Sequence, residues 1–526
     1  MSAQDNTGKP VINVCLLQPP GYIHAMALLE AAEYVVEKAR LAGYQATLSK
    51  NRFYRHGLNI VFGAHINAKD APEYPPNTVI FNTEQIPEKS VWISSQYKTC
   101  LDRHFVWDYS AVNLNMIGHQ NTALVDFWHV EKLRRIQPAQ QAEYDLIFYG
   151  SMNERRKLLI EKLRKKGLKI LTVFGLYGEE RDALLRKARA VLNLHFYESQ
   201  IFQQIRSFYA LSNGMPVISE NYPETSAPSL YKDVLFTPGS RPFEDFVAEL
   251  LSSSETFRRD SEIRLARFYA SGSNADFAGI LEKTLQTVIG KEAAAASRNP
   301  TRLNLLGRQY LQGYLNVGIE PSAKPDAHLD LSLPLQLPVS LPSPPWGPVT
   351  LAENQLDEIV AFDTLTTIQQ LPRLMDNCLR LLREGGTFTI VVPHELSLGA
   401  WQDLTHVRAF NENSWLQYTQ WFWQLGWLDY RFECSETSMN LSDFGKTLVA
   451  GNRPQDEILR TPRAIESMRV VLTKRKTTPE ERMLACAHSS GFAPVGAAPA
   501  ESCCFRKAPA RRRPAVVCPD VAAQPW

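Results

Sequence analysis

Charged and polar residues follow three apolar runs in the middle of the chain, and each run has the length of a buried β-strand. Ser151 and Arg155 come after the run DLIFYG, Glu198 follows AVLNLH, and Glu220 follows PVIS. Ligands of parallel α/β sheets bind beyond the carboxyl ends of strands, where helix N-termini present N–H groups, and arginine contacts phosphate oxygens in pairs. The spacing therefore predicts a nucleotide diphosphate site, with Glu198 or Glu220 accepting hydrogen bonds from ribose or sugar hydroxyls.

Two glycines mark tight turns around the same predicted site. Gly150 precedes Ser151 in a turn of small residues that enters a helix, and Gly214 stands between a helix and the strand PVIS. Glycine adopts the backbone conformations of tight turns at low steric cost. We therefore expect both glycines to lie at the edge of the donor site.

The elements that position these residues alternate between strands and helices. The stretch Ala25–Ala42 places apolar residues on one face and predicts a helix, and the same alternation runs through residues 145–219. This pattern is typical of open, mostly parallel α/β sheets. The strands predicted in the first part of the chain are Val11–Leu17, Asn59–Gly63, Val79–Asn82 and His104–Asp108.

The composition is that of an ordinary globular chain with no bulk attraction to a polyanion. The 526 residues carry 57 basic and 55 acidic side chains, so the formal net charge is +2. That balance predicts no nucleic-acid partner. The polar N-terminus lacks a signal-peptide core, and no apolar run reaches the ~20 residues that span a bilayer, so we expect a cytoplasmic protein without an integral membrane segment. The cysteines lack metal-ligand spacing, and no metal site is predicted.

Six segments, in the same order, resemble a bacterial group of two-domain GT-B glycosyltransferases, the glycosyltransferase family 1-like group. FYGSMNERR, VLNLHFYESQIFQQIR and ALSNGMPVISE match its second half, and NIVFGAH, IFNTEQI and VWDYSAVN match its first half. The resemblance covers about residues 11–285. It implies a hexosyl or pentosyl transferase that uses a nucleotide-sugar donor and a glycan, lipid-linked or protein acceptor, in surface-glycan or protein glycosylation.

The resemblance also implies how the donor is held. Arg206 stands at the arginine of the family's motif, where it would contact the diphosphate, because the leaving group gains negative charge. The acid of the same motif is Gln203 here, a departure that bears on activity and on donor choice. No Asp-x-Asp motif follows a strand, so sugar transfer is expected to need neither a metal nor another cofactor.

The first half would then supply the acceptor side and a general base. His65, Glu84 and Asp108 stand at or just beyond the ends of predicted strands, and each could deprotonate an acceptor hydroxyl in an inverting transfer. Structural roles remain open for all three, because buried histidines and helix-capping aspartates are common.

The third part of the chain resembles a class I methyltransferase that uses S-adenosylmethionine. The strands DEIVAF and TFTIVVP and the segment GAWQDLTHVRAFNENSW carry the resemblance. The candidate cofactor residues are Gly307, Glu320 and Asp363. The first loop has one glycine followed by Arg308, where the family has several glycines, and Gly318 stands in place of the usual ribose-binding acid. We expect a domain that does not methylate; sugar methylation as a second activity, and an inactive scaffold in a glycosylation pathway, are the alternatives.

These patterns divide the chain into five segments. A disordered N-terminus (1–10) precedes an acceptor-side domain (11–135), and a nucleotide-sugar domain (136–290), a methyltransferase-like domain (300–475) and a disordered tail (476–526) follow. The tail is rich in Ala, Pro, Arg and Cys and has no periodicity. The expected fold class is therefore α/β, with two Rossmann-like domains of GT-B type followed by a third, methyltransferase-type Rossmann-like domain.

Overall fold

The computed structural model describes residues 9–66, 74–86, 93–137, 141–197, 201–271, 276–289, 299–307, 309–320 and 323–489. The chain divides into two compact units, Met1–Ala296 and Ser297–Trp526. Both contain sheets with runs of parallel strands and helices between them, which confirms the expected α/β class with Rossmann-like sheets. Along the described residues, no helix has both the length and the apolar character needed to cross a membrane.

The first sheet of unit 1 is parallel throughout. Its strands are β1 (Ile12–Leu16), β2 (Ala46–Lys50), β3 (Leu58–Phe62), β4 (Thr78–Asn82), β5 (Phe105–Asp108) and β6 (Thr122–Leu124), and its helices are α1 (Leu29–Leu41), α2 (Ser95–Arg103) and α3 (Ala111–Ile117). The spatial order is β2-β1-β3-β4-β5-β6. Every residue of β1, β3 and β4 is buried, as expected for strands that are covered on both faces of a parallel sheet.

A second parallel sheet follows in the same unit. Its strands are β7 (Tyr144–Tyr149), β8 (Ile170–Val173), β9 (Ala188–Asn193) and β10 (Val217–Ser219), and the helices are α4 (Glu154–Lys165), α5 (Gly178–Leu185), α6 (Gln204–Ser212), α7 (Ser229–Val234), α8 (Phe243–Ser252), α9 (Ser254–Ala270) and α10 (Phe277–Val288). The spatial order is β10-β9-β7-β8. Asn153 determines where α4 begins, because its side chain accepts a hydrogen bond of 3.0 Å from the Arg156 N–H.

The last helix of unit 1 returns to the first sheet. Trp107 of β5 donates a hydrogen bond from Nε1 to Oγ1 of Thr284 on α10 (3.0 Å), and its ring lies 5.6 Å from that of Phe277. Phe277 and Leu281 belong to the same buried cluster as the residues of β1 and α1. α10, which belongs to the predicted nucleotide-sugar domain 136–290, thus contacts the first sheet, and the boundaries of that domain stay a prediction.

Unit 2 contains a large mixed sheet and a separate two-stranded sheet. Its strands are β11 (Arg302–Leu305), β12 (Leu315–Gly318), β13 (Ala327–His328), β14 (Val339–Leu341), β15 (Val349–Leu351), β16 (Leu356–Phe362), β17 (Leu382–Pro393), β18 (Tyr430–Leu441) and β19 (Ile465–Lys476), and its helices are α11 (Leu371–Leu381), α12 (Gly399–Gln402), α13 (Leu416–Thr419), α14 (Asp443–Ala450), α15 (Gln455–Arg460) and α16 (Pro479–Ser489). The large sheet has the order β13-β12-β11-β16-β17-β19-β18, in which β19 is antiparallel to both of its neighbours. Separately, β14 pairs with β15 in antiparallel fashion.

The predicted disordered tail begins too early. β19 extends to Lys476, and α16 follows it. Ala485 of this helix is fully buried, and the Glu481 carboxylate accepts hydrogen bonds of 2.7 Å from both Arg431 and Arg475. The prediction is therefore wrong for α16, which packs on the sheet. Residues 1–8 and 490–526 lie outside the described residues.

Candidate functional site

A cleft of about 540 Å³ opens in unit 1 where the carboxyl ends of its two sheets face each other. Residues that follow the strands of both sheets form its wall, as expected for ligand sites of α/β sheets. The predicted residues that line the cleft are His65, Glu84, Gly150, Ser151 and Arg206.

Gly150 and Arg206 are in close contact in this wall. Gly150 follows β7 with a φ of +137°, and a Cβ placed on it would come within 2.7 Å of Nη2 of Arg206. Arg206, on α6, donates from Nη1 to Oδ1 of Asn193 (3.0 Å) and to Oε1 of Gln203 (2.8 Å). The absence of a side chain at Gly150 thus makes room for the Arg206 guanidinium at the cleft.

The charge of Arg206 has no carboxylate partner within 4.0 Å among the described residues, since its recorded side-chain acceptors are amide oxygens. Burial lowers the pKa of Arg206, and its guanidinium lies over the rings of Phe148 (5.3 Å) and Tyr149 (5.8 Å). Burying a charge is costly unless an opposite charge compensates it. An anionic ligand in the cleft would supply that compensation.

Arg181 also lines the cleft, but carboxylates of the protein compensate its charge. Its Nη2 donates to Glu30 (2.8 Å) and to Asp182 (2.7 Å), and the guanidinium lies 4.5 Å from the centre of the Tyr209 ring. Burial alone would lower the pKa of Arg181, but the two carboxylates outweigh it and raise the pKa. Arg181 therefore connects α5 to α1, and Arg206 remains the better candidate for an anion contact.

Arg156, the second arginine of the predicted diphosphate-binding turn, is a buried residue that lines the cleft. Its side chain donates to the carbonyl oxygens of Ser151 (2.7 Å) and Leu194 (2.6 Å), and it is 1% exposed. Burial, together with the nearby charges of Arg206 and Arg155, lowers its pKa to about 8. Arg156 thus links the loops after β7 and β9 and adds positive charge to the donor wall.

Among the described residues, Arg155, Gly214 and Glu220 were also predicted to bind the donor, but they do not line the cleft. Arg155 pairs with Glu220 through two hydrogen bonds, one of them 2.8 Å between Nη1 and Oε2, so Glu220 is committed to an ion pair. Gly214 has a φ of +74° in the turn before β10, as expected for a tight turn, but it does not line the cleft. Glu198 lies outside the described residues.

Glu84 and His65 face each other on the opposite side of the cleft. His65 Nε2 lies 3.3 Å from Oε1 of Glu84. Burial raises the pKa of Glu84 to about 7 and lowers the pKa of His65 to about 3. The imidazole is therefore neutral at pH 7, and Glu84 is balanced between its two protonation states, as suits a general base at neutral pH.

Asp108 lies behind this wall. Its side chain is fully buried, and its carboxylate accepts hydrogen bonds from Asn82, Asn113 and the backbone of Ser110. Burial raises its pKa to about 7. The predicted role of Asp108 as a base in contact with the acceptor is corrected accordingly, because protein donors enclose its oxygens.

The loop after β1 contributes Tyr22 and His24 to the wall of the cleft. His24 of this loop lies 2.8 Å from the Tyr177 hydroxyl oxygen and stacks on Phe174, with 5.1 Å between ring centroids. Phe174 is 60% exposed. Both partners follow β8 of the second sheet, so aromatic rings from the two sheets meet at the entrance. Sequence patterns missed these residues because aromatic side chains are also common in cores.

The candidate cofactor site of unit 2 lies at the carboxyl ends of β11, β12 and β16. A Cβ placed on Gly307 would meet Oγ1 of Thr364 at 2.7 Å and the carbonyl oxygen of Phe362 at 2.8 Å. Glu320 is exposed, and Asp363 has a φ of +53°. Protein atoms therefore leave no room for a side chain at position 307, which accounts for the glycine there. The absence of S-adenosylmethionine binding stays a prediction from the sequence.

Metal binding finds no support in the part of the chain that the structure describes. No group of three or more His, Cys, Asp or Glu side chains there could hold a metal ion.

No protein-family model matches the chain. One uncharacterized protein of Acanthamoeba polyphaga mimivirus is 23% identical over 194 residues, which is 36% of this chain and 26% of that protein. Another from the same virus is 25% identical over 186 residues, 34% of this chain and 20% of that protein. The chain thus spans about a quarter or less of the length of these relatives. Both are viral, so the comparisons do not support the bacterial source that the resemblance implies.

Among solved structures, the chain is similar to WaaG, a glycosyltransferase involved in lipopolysaccharide biosynthesis, with 10% identity, a TM-score of 0.33 and coverage of 53% of this chain and 100% of that one. An alpha1,3-fucosyltransferase with GDP gives 10% identity and a TM-score of 0.33, covering 55% and 93%. A SAM dependent methyltransferase from Archaeoglobus fulgidus gives 13% identity and a TM-score of 0.21, covering 38% and 100%. These are low similarities of fold, and no substrate follows from them.

Proposed function

We propose that unit 1 transfers a sugar from a nucleotide-activated donor to an acceptor hydroxyl. The proposal rests on one observation: a basic side chain and an acidic side chain line opposite sides of the cleft. A half-buried arginine, Arg206, without a carboxylate partner among the described residues lies on one side, and a carboxyl with a pKa of about 7, that of Glu84, lies on the other. Tyr109 lines the same cleft: burial raises its pKa, the charges of Asp108 and Glu84 raise it further, and the charge of Arg206 lowers it.

The donor diphosphate would lie against Arg206. A sugar leaves as a nucleoside diphosphate when its C1–O bond to phosphate breaks, and the phosphate oxygens then gain negative charge. Gln203 supports this role because its amide fixes the Arg206 guanidinium at 2.8 Å without neutralising it. The nucleotide sugar is thus bound mainly by charge on the side of the second sheet.

The acceptor would enter from the side of the first sheet. Glu84, when ionised, accepts the proton of the acceptor hydroxyl while that oxygen forms the new bond to C1. His65, uncharged at pH 7, contacts the same carboxylate without neutralising it. The aromatic rings at the entrance, Phe174 among them, offer apolar faces on which a sugar ring of a glycan or a lipid-linked acceptor can stack. A protein acceptor that presents a hydroxyl suits the same geometry.

The test is binding and turnover of nucleotide sugars by the full chain. A thermal-shift screen of nucleoside diphosphates identifies the base, because a ligand that binds the folded state raises the melting temperature. Arg206→Ala should abolish that shift and the release of nucleoside diphosphate from the sugar donor. Arg264→Ala is the matched control, since Arg264 is a partly buried arginine of α9 that donates to the carbonyls of Asp233 and Leu235 and does not line the cleft. Equal shifts in both variants would contradict the proposal.

A further inference from the structure

We infer that Asp108 is a positioning residue that holds Glu84 at the cleft wall through two asparagines. The inference rests on the proposed role of Glu84 as the base. Asp108 is the last residue of β5 and Asn82 is the last residue of β4, and the two are register partners in neighbouring parallel strands. Their side chains therefore lie together at the sheet edge that faces the cleft.

The Asp108 carboxylate is surrounded by N–H donors. Its Oδ2 accepts a hydrogen bond from Nδ2 of Asn82 (2.6 Å). Its Oδ1 accepts from the Ser110 backbone N–H (2.7 Å) and from Nδ2 of Asn113 (3.2 Å). An ionised carboxylate offers acceptors only, which matches three donors, whereas an amide would turn an NH₂ group towards at least one of them. The site therefore selects a carboxylate at this position.

The two asparagines transmit this anchoring to the backbone of Glu84. Nδ2 of Asn82 and Nδ2 of Asn113 each donate to the Glu84 carbonyl oxygen at 2.9 Å. Oδ1 of Asn82 accepts from the Glu84 N–H (3.2 Å), and Oδ1 of Asn113 accepts from the Ile86 N–H (3.0 Å). Both backbone polar groups of Glu84 are thus bonded to side chains that Asp108 fixes.

The hydrogen bonds from Asn82 and Asn113 hold the backbone of Glu84, which belongs to no strand or helix. Glu84 lies beyond the end of β4, so no strand pairing fixes its backbone. A general base must stay within hydrogen-bond reach of the hydroxyl that it deprotonates. A displacement of about 1 Å can lower the rate by about 100-fold. Asp108 therefore acts on catalysis through the position of Glu84, without contacting the substrate.

The activity test combines two substitutions. Asp108→Asn should lower kcat by about 10- to 100-fold and leave KM for the nucleotide sugar within about twofold, because the donor side is formed by the second sheet. The double variant Asp108→Asn, Glu84→Gln should be no slower than Glu84→Gln alone, since both act through one group. A double variant that is at least tenfold slower than Glu84→Gln would overturn the inference.

The matched control is Asn59→Ala. Asn59 is fully buried in the same sheet, and its Nδ2 donates to the Tyr54 carbonyl oxygen (2.7 Å) near the amino end of β3. This variant loses a buried network of the same kind at the other end of the strands. It should lower the melting temperature without changing kcat, whereas general damage to the sheet would lower kcat in both variants.

Hydrogen exchange can test the anchoring of Glu84 even if the protein transfers no sugar, so it distinguishes a failure of this inference from a failure of the proposed function. Backbone amide hydrogen exchange of Glu84 and Ile86 should be at least tenfold faster in Asp108→Asn, and unchanged in Asn59→Ala. If Asp108→Asn does not fold, Asn113→Ala removes one of the two contacts to the Glu84 carbonyl and should give the same change at smaller size. Unchanged exchange in a folded variant overturns the anchoring. Lack of sugar transfer by the unaltered chain, with faster exchange in the variant, overturns only the proposed function.

Discussion

Nη2 of Arg206 lies 2.7 Å from the position that a Cβ on Gly150 would take. The substitution Gly150→Ala should therefore displace the guanidinium from the cleft, because the backbone of Gly150, with a φ of +137°, directs the added methyl group at the guanidinium. We expect at least a tenfold loss of affinity for the nucleoside diphosphate, about 1.4 kcal/mol. Isothermal titration with the nucleotide found in the thermal-shift screen measures this change.

The control for this substitution is Gly167→Ala. Gly167 also has a positive φ, +87°, but a Cβ on it meets no atom within 4 Å. Both variants carry backbone strain of about 1–3 kcal/mol. Only the first should lose nucleotide affinity, and equal losses in both would show that strain, not the contact with Arg206, is responsible.

Gln203 offers a second way to change the charge of the donor site. Its Oε1 lies 2.8 Å from Nη1 of Arg206, so Gln203→Glu would place a carboxylate against the guanidinium. The new ion pair should compete with the donor phosphates and weaken nucleotide binding by about tenfold at low salt. Tighter binding or faster transfer in this variant would instead support the hypothesis that the departure from the family motif impairs the chain.

The raised pKa of Glu84 predicts the pH dependence of transfer. The carboxyl acts as a base only when it is ionised, so kcat should rise with pH and level off above its pKa of about 7. Glu84→Gln should lower kcat by about 100- to 10,000-fold and remove this rise. Initial rates between pH 5.5 and 9 at saturating donor measure both effects. Glu180→Gln, at an exposed position of α5, should leave the profile unchanged.

The same pKa predicts an opposite effect on stability. Burial raises the pKa of Glu84 from 4.5 to about 7, so its stabilising contribution is fully present below about pH 4.5 and is lost as the pH rises through 7. Glu84→Gln carries no charge and avoids this loss, which is at most about 3 kcal/mol. The variant should therefore melt at a higher temperature than the unaltered chain at pH 8, with a smaller difference at pH 5. A lower melting temperature at pH 8 would contradict the burial of this charge.

Unit 2 should not bind S-adenosylmethionine. Its first loop has a single glycine, Gly307, followed by Arg308, and Gly318 stands where the usual ribose-binding acid would be. Isothermal titration of the full chain with the cofactor at millimolar concentration should show no saturable heat. A dissociation constant below about 1 mM would restore sugar methylation as a second activity.

The sequence predicted the elements well where burial determines the residue pattern. Strands such as β1 and β4 are buried throughout, and each appears in the sequence as an apolar run with polar residues beyond its end. Glu84 and Gly150 stand beyond strand ends, which meet at one edge of a parallel sheet, and both line the cleft. Arg206, which also lines the cleft, was predicted from the family motif that the chain resembles.

The sequence did not predict side-chain contacts between residues that are far apart along the chain. Arg155 and Glu220 each have a suitable position and type for donor binding, and in the structure they pair with each other, a contact that the sequence did not predict. Asp108 accepts hydrogen bonds from the side chains of two asparagines. Asn153 determines where α4 begins, and on this helix Arg156 rather than Arg155 lines the cleft. Position along the chain predicts the edge of the sheet at which a residue lies, but not the contact that it makes there.

The return of α10 to the first sheet has a consequence for how this chain can be divided. Trp107 and the α10 residues Phe277 and Thr284 share one buried contact, although about 170 residues of sequence separate them. A fragment that ends at residue 136 would lack α10, so the side chain of Trp107 would lose its contacts with that helix and become exposed. Exchange of the first sheet and its helices with those of another protein of similar fold should therefore succeed only when α10 is moved with them, so the modules of this protein are discontinuous in sequence.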